Sequence, residues 1–261
     1  MFWLLIFIIF IGACDSGTNK KEEPPAPVQL VLRTVGADTT NAESGIDAVP
    51  TPEGEINHIQ IQWYHHPQNN RLLKFNIYRS QEVGGGKNYL LEGSVQANVP
   101  GQADTIFFDT QDLQLNVRYY YYVTAVNKDM IESISSDTVS YQLMEKPVKL
   151  SLNANASVIK RPDMVFEWWM ESGNTPDRYI LRVERFYSKD VHILAYIKYV
   201  KTEYGSAHQS FRLQGDSLKT IFPNGKYRWR VDCVGREDVI HQYFEGSESN
   251  WKIFDVMWGD E

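Results

Sequence analysis

The chain has 261 residues, of which 43% are hydrophobic and 13% aromatic, so it can bury a core and is not globally disordered. Its net charge is −7, and no basic stripe alternates with aromatic residues, which argues against a nucleic-acid partner. Its two cysteines, Cys14 and Cys233, are too few for a disulfide framework or a zinc knuckle, and we predict no metal and no cofactor.

The N-terminal segment 1–13 is almost wholly apolar, but it is shorter than the roughly 20 residues of a membrane-spanning helix. It ends in small residues, as a secretory signal peptide does. The ending Ile11-Gly12-Ala13-Cys14 resembles the bacterial lipobox. That resemblance implies a signal peptide at 1–13 and a lipid on Cys14, which anchors the protein to a membrane of the bacterial cell envelope, at the outer membrane or cell surface. An ordinary signal peptide or an uncleaved anchor is the alternative.

Residues 14–26 are polar and Pro-rich and are predicted to form a disordered tether. Short runs of β-branched and aromatic residues follow, about ten residues apart, with turn residues in the gaps and a longer polar stretch at 36–57. The predicted strands of residues 27–145 lie at 28–35, 58–66, 75–80, 89–96, 105–110, 117–127 and 137–143. This spacing without a long helical period is typical of an antiparallel β-sandwich.

The pattern starts again after a short joint that contains Pro147, and it predicts a second domain at 146–261 in semi-rigid tandem with the first. Its predicted strands lie at 148–154, 165–171, 178–187, 191–201, 211–213, 226–235 and 250–256. The predicted fold class is therefore all-β, with two tandem immunoglobulin-like antiparallel sandwiches.

The segment 107–143, which contains VRYYYYVTAVN, resembles the E–F–G half of a fibronectin type III module. The resemblance covers nearly all of residues 27–145. It implies that Tyr119 is the tyrosine-corner residue and that Trp63 is the core tryptophan of strand B.

The second copy is similar but less regular. In GKYRWRVDCVG the resemblance implies a corner at Tyr227, with Trp229 and Cys233 continuing inward, and it makes Trp168 the strand-B tryptophan. The long 186–213 stretch does not match the family pattern.

Alternation along the strand at 117–127 separates the four consecutive tyrosines. Tyr119 and Tyr121 are predicted to face the core, and Tyr120 and Tyr122 the opposite side of the sheet. Trp169 follows the inward Trp168 and is predicted to face out. The candidate binding residues are Tyr120, Tyr122, Trp169 and Trp251, because exposed rings stack on sugars or anchor protein partners.

No catalytic signature occurs, and no catalytic residue is predicted. We therefore expect a noncatalytic, lipid-anchored envelope protein that binds a protein or glycan partner or acts as a spacer. The alternative is an accessory or atypical carbohydrate-active or peptidase-associated enzyme. It requires two carboxylates about 5–10 Å apart in a cleft of the 186–213 region.

Overall fold

The computed structural model describes residues 22–31, 57–83, 86–153, 158–171, 175–188, 191–238 and 240–259. Within these ranges the chain is almost entirely β, which confirms the predicted all-β sandwich class. The predictions for the signal peptide, for Cys14 and for residues 36–56 lie outside the described residues. No helix in the described ranges is long and apolar enough to cross a membrane.

The strands of the first half follow the predicted alternation closely. They are β1 (Ile59–Gln62), β2 (Leu72–Val83), β3 (Gly86–Lys87), β4 (Leu90–Gln96), β5 (Ile106–Asp109), β6 (Arg118–Asn127) and β7 (Val139–Leu143). A 3-10 turn at Asn69–Arg71 precedes β2. β1 pairs with β5, and β4, β2, β6 and β7 form the facing antiparallel sheet. The two sheets meet where Trp63 packs on Phe75, with ring centroids 5.2 Å apart.

The second half adds nine strands and one short helix. They are β8 (Val148–Leu152), β9 (Val158–Ile159), β10 (Asp163–Trp169), β11 (Arg178–Ser188), β12 (Val191–Lys201), β13 (His208–Gln214), α1 (Ser217–Ile221), β14 (Gly225–Asp238), β15 (Tyr243–Glu248) and β16 (Lys252–Val256). One sheet has the order β13-β10-β8, and β12, β11, β14 and β16 form the other. Phe166 of β10 meets Trp229 of β14 edge to face at 5.0 Å, so the two sheets share a core.

In each half a buried tyrosine hydroxyl hydrogen-bonds to the backbone just upstream, at the corner where the chain enters the strand of that tyrosine. The Tyr119 hydroxyl accepts a hydrogen bond from Gln114 N–H at 2.8 Å and donates to the Asp112 carbonyl at 3.3 Å. The Tyr227 hydroxyl donates to the Pro223 carbonyl at 2.7 Å. Both rings are fully buried, so each hydroxyl satisfies backbone groups at the entry to its strand.

A strand that the sequence did not predict joins the halves. β15 pairs in parallel with β7 of the first half and antiparallel with β14 of the second, which makes one 11-stranded sheet. Phe244 of β15 is buried in the first core and stacks on Tyr141 at 5.9 Å. The boundary at residues 145 and 146 stays a prediction, but the strands on its two sides are hydrogen-bonded to one another.

The predicted tether is wrong for its last residues. Pro25 is buried, and the backbone of Ala26 is held on both sides. Its N–H donates to Gln68 Oε1 at 2.8 Å, and its carbonyl lies 2.9 Å from His66 Nε2. Pro25 and Ala26 therefore lie against the first sandwich.

Candidate functional site

Tyr122 lies in a cluster of tyrosines on the outer face of the β4-β2-β6-β7 sheet, the side away from the core. It stacks on Tyr78 with centroids 4.8 Å apart and planes at 21°. Tyr89, just before β4, contacts it from another side at 4.7 Å and 52°. All three rings are half-buried. We call these three residues the tyrosine platform.

Glu132 fixes one edge of the platform. Its Oε1 accepts hydrogen bonds from Tyr78 Oη at 2.9 Å, from Asn76 Nδ2 at 3.0 Å and from Thr124 Oγ1. Partial burial alone raises the pKa of the Glu132 carboxyl, but these hydrogen bonds outweigh it and hold the pKa below its ordinary value. The platform therefore carries a charged acceptor at neutral pH.

The tyrosine hydroxyls beside Glu132 stay protonated. Burial, followed by the hydrogen bond to Glu132 and its charge, raises the pKa of Tyr78. Burial and the Glu132 charge also raise the pKa of Tyr122. The platform thus offers neutral rings beside one anion.

One exposed leucine extends the apolar part of this surface. Leu91 is 53% exposed and is paired with Tyr78 in the β2–β4 register. Side chains paired across a ladder lie on the same face. Leu91 therefore extends the platform toward the β4 edge.

The prediction that Tyr120 presents a binding surface is wrong. Its side chain points away from the core, as the alternation requires, yet it is only 4% exposed. Lys87 Nζ lies 3.8 Å from its ring centroid, and Tyr243 of β15 packs on it edge to face at 6.4 Å. A distant strand and a hairpin lysine therefore cover the ring.

Trp169 lies on the outer face of the β13-β10-β8 sheet and is half-buried. Its indole stacks on the His208 imidazole with centroids 4.4 Å apart. His208 Nε2 is in turn 3.4 Å from Glu167 Oε1. Trp169 is thus part of a local cross-strand cluster in the second half, whereas the tyrosine platform lies in the first.

Trp251 covers a row of charged side chains on the outer face of β11 and β14. The guanidinium carbons of Arg228 and Arg230 lie 4.1 and 4.7 Å from its ring centroid. Arg228 Nε donates to Glu184 at 2.8 Å, and Arg230 donates to Glu248 at 2.6 Å. These cations hold the half-buried indole in place.

Sequence reasoning missed this charged row, because charges in a strand usually indicate a solvated face. Arg182, Glu184 and Arg230 are instead at most 4% exposed. The available signal was the alternation of Arg228, Arg230 and Asp232 with core residues in KYRWRVDCVG, together with Trp251 in the predicted last strand at 250–256.

The five residues predicted to be structural are buried: Trp63, Tyr119, Trp168, Tyr227 and Trp229. Each is at most 1% exposed and belongs to one of the two core clusters.

Cys233 is also buried, at 1% exposure, and its sulfur lies 3.1 Å from the Glu145 carbonyl. Burial raises the pKa of the Cys233 thiol to about 12, so the thiol stays protonated and unreactive.

The region proposed for the alternative enzyme contains β12 and β13. Glu203 is its only carboxylate among the described residues. Nor does any group of three or more His, Cys, Asp or Glu side chains suited to a metal ion occur in the described ranges. The tyrosine platform is therefore the strongest candidate site among the predicted residues.

No protein-family model and no curated protein matches this chain. Among solved structures it is similar to the chicken CNTN1 FN1–FN3 domains, at 16% identity and a TM-score of 0.31, covering 89% of this chain and 69% of that chain. It is also similar to a structure described as a myokine, at 16% identity and a TM-score of 0.29, covering 46% of this chain and 97% of that chain. The functional proposal for this chain therefore rests on its own side chains.

Proposed function

We propose that the protein is a noncatalytic binding module that is anchored to a bacterial envelope membrane by a lipid on Cys14 and uses the tyrosine platform to hold a protein partner. The observation that carries this proposal is the half-exposed cluster of Tyr78, Tyr89 and Tyr122. Tyrosine offers a large contact area with few rotatable bonds, and binding hot spots are enriched in it.

The surroundings of the platform favour a protein partner over a sugar. Leu91 adds an exposed apolar border, which suits the desolvated centre of a protein interface. Glu132 adds a fixed anion for a lysine or arginine of the partner. A glycan would stack on the same rings, and it is the second outcome that the experiment distinguishes.

The joint between the halves suits a stiff tandem. β15 belongs to the sheets of both halves, so a bend at the joint breaks hydrogen bonds. The tandem thus combines binding with the spacer role expected from the sequence.

The anchor is tested with Cys14→Ala. Because the thioether lipid requires the sulfur, we expect the variant to move from the membrane fraction to the soluble fraction of fractionated cells. Unchanged membrane association of Cys14→Ala would contradict lipidation.

The platform is tested by crosslinking on intact cells followed by mass spectrometry of captured partners. Tyr78→Ala with Tyr122→Ala should lower recovery of a specific partner at least roughly tenfold, since each hot-spot ring contributes about 2 kcal/mol or more. Tyr64→Ala is the matched control, because Tyr64 is 57% exposed and lies outside the platform.

Equal recovery by the double variant and by wild type would contradict the assignment of the platform. Platform-dependent binding on a glycan array without a crosslinked protein would replace the protein partner by a glycan.

A further inference from the structure

A cleft of about 480 Å³ opens at the joint between the two halves. Its walls are the segment 146–150, which leads into β8, and the segment 250–252 at the start of β16, together with Asn57. The volume is that of a small-molecule site, and such sites occur preferentially where two domains meet. It is separate from the tyrosine platform and shares no lining residue with it.

The charge of the cleft is opposite to that of the whole chain. Lys146, Lys149 and Lys252 line it, and none of its described lining residues is a carboxylate, although the net charge of the protein is −7. Lys252 Nζ donates to the Leu150 carbonyl at 2.7 Å, which fixes this ammonium group beside the cleft. A local excess of cations in a concave site concentrates anions.

One acidic residue beside this set, Glu171, pairs with Lys149. Lys149 Nζ lies 3.6 Å from Glu171 Oε1, but the two side chains are 65% and 62% exposed. Exposed pairs of this kind contribute little, because water and salt screen them. Lys149 also has φ of +52°, a left-handed conformation that is uncommon for residues other than glycine and that occurs at ligand sites.

Trp251 places an aromatic residue in the lining of the cleft. It also lines the neighbouring cleft that contains Arg228 and Arg230. Because Arg228 and Arg230 lie on the indole, its orientation is set before any ligand arrives. An aromatic face beside cations suits a ring that carries both C–H groups and an anion.

We infer that this cleft binds an anionic sugar, whose pyranose ring packs on Trp251 and whose carboxylate or phosphate is held by Lys149 and Lys252. This inference is independent of the proposed function, since it concerns different residues on another part of the molecule.

The experiment follows the indole N–H signal of Trp251 by nuclear magnetic resonance in the full-length chain in detergent, with the signal assigned through Trp251→Phe. The probes are glucuronate and glucose 6-phosphate, which distinguish a carboxylated from a phosphorylated sugar. Glucose and inorganic phosphate are the matched neutral and ringless probes. We expect saturable shifts with at least one anionic sugar, with a dissociation constant on the order of 1 mM or below.

Lys149→Gln combined with Lys252→Gln should weaken that binding roughly tenfold or more, and added salt should weaken it in the wild type. Lys128→Gln, in the first half, is the control and should leave binding unchanged. Thermal unfolding of each variant shows whether the fold is kept. If the double variant unfolds at a markedly lower temperature than the wild type, Lys149→Gln alone is used in its place.

Three results would overturn the inference. They are the absence of any shift with both anionic sugars, equal affinity for glucose, and inorganic phosphate binding as tightly as the sugars. A folded lysine variant that binds the anionic sugar with wild-type affinity would also overturn the inference.

Discussion

At the scale of single residues, the Tyr119 hydroxyl connects the segment before β6 to the first core. It contacts two backbone groups, Gln114 N–H and the Asp112 carbonyl, while the ring is fully buried. The resemblance to the fibronectin type III pattern anticipated this role, because the spacing of inward residues places one tyrosine at the start of the strand.

Tyr119→Phe removes that hydroxyl and leaves the core otherwise filled. We expect the free energy of unfolding to fall by about 1–3 kcal/mol, because the Gln114 N–H loses its buried partner. Equilibrium denaturation in urea measures the change. Tyr64→Phe is the control at an exposed position and should change stability by no more than about 0.5 kcal/mol. A similar loss in both variants would count against the corner contact.

At the scale of elements, β15 joins the two halves, although its composition does not predict this role. Its sequence YFEGSE contains few residues that favour strands, and nothing in it indicates a parallel partner in the other half. Gly246 pairs with Leu143 of β7 and with Val234 of β14. An added Cβ at Gly246 would lie 2.7 Å from the Cys233 carbonyl oxygen, so β14 and β15 lie too close here for a side chain.

Gly246→Ala should therefore destabilise the joint by about 1–3 kcal/mol, the usual cost of overpacking. Thermal unfolding followed by circular dichroism measures the loss. Gly86→Ala is the matched control, because an added Cβ there meets no atom within 4 Å. A variant Gly246→Ala as stable as Gly86→Ala would argue against close pairing at this position.

At the scale of the whole molecule, one sheet runs through both halves, and Phe244 of the second half lies in the core of the first. Arg118 also forms an ion pair with Glu245 and lies over Tyr243, at 5.1 Å from the ring centroid. The two halves are thus expected to unfold together, as a single cooperative unit.

Phe244→Ala removes the ring that crosses the joint. We expect a loss of about 3–5 kcal/mol and a separation of the single calorimetric transition into two, because the halves lose their shared core contact. Ile253→Ala, at a half-exposed residue of β16, should keep one transition. Two transitions already present in the wild type would contradict the expected coupling.

The sequence by itself determined the two cores, because the alternation of inward and outward side chains is a local property of an extended chain. It therefore identified nearly every strand of the first half and the inward positions of Tyr119, Tyr121, Tyr227 and Trp229. The lipid on Cys14 is also inferred from a local pattern, the resemblance of residues 11–14 to a lipobox, and it stays a prediction.

Only the tertiary structure decided which outward side chains reach solvent. Tyr120 and Tyr122 face the same side of β6, but β15 and Lys87 cover the first, while the second joins the half-exposed platform. The burial of the charged row under Trp251 could not be predicted from the sequence for the same reason. Alternation fixes the face on which a side chain lies, whereas its exposure depends on which distant segment packs over that face.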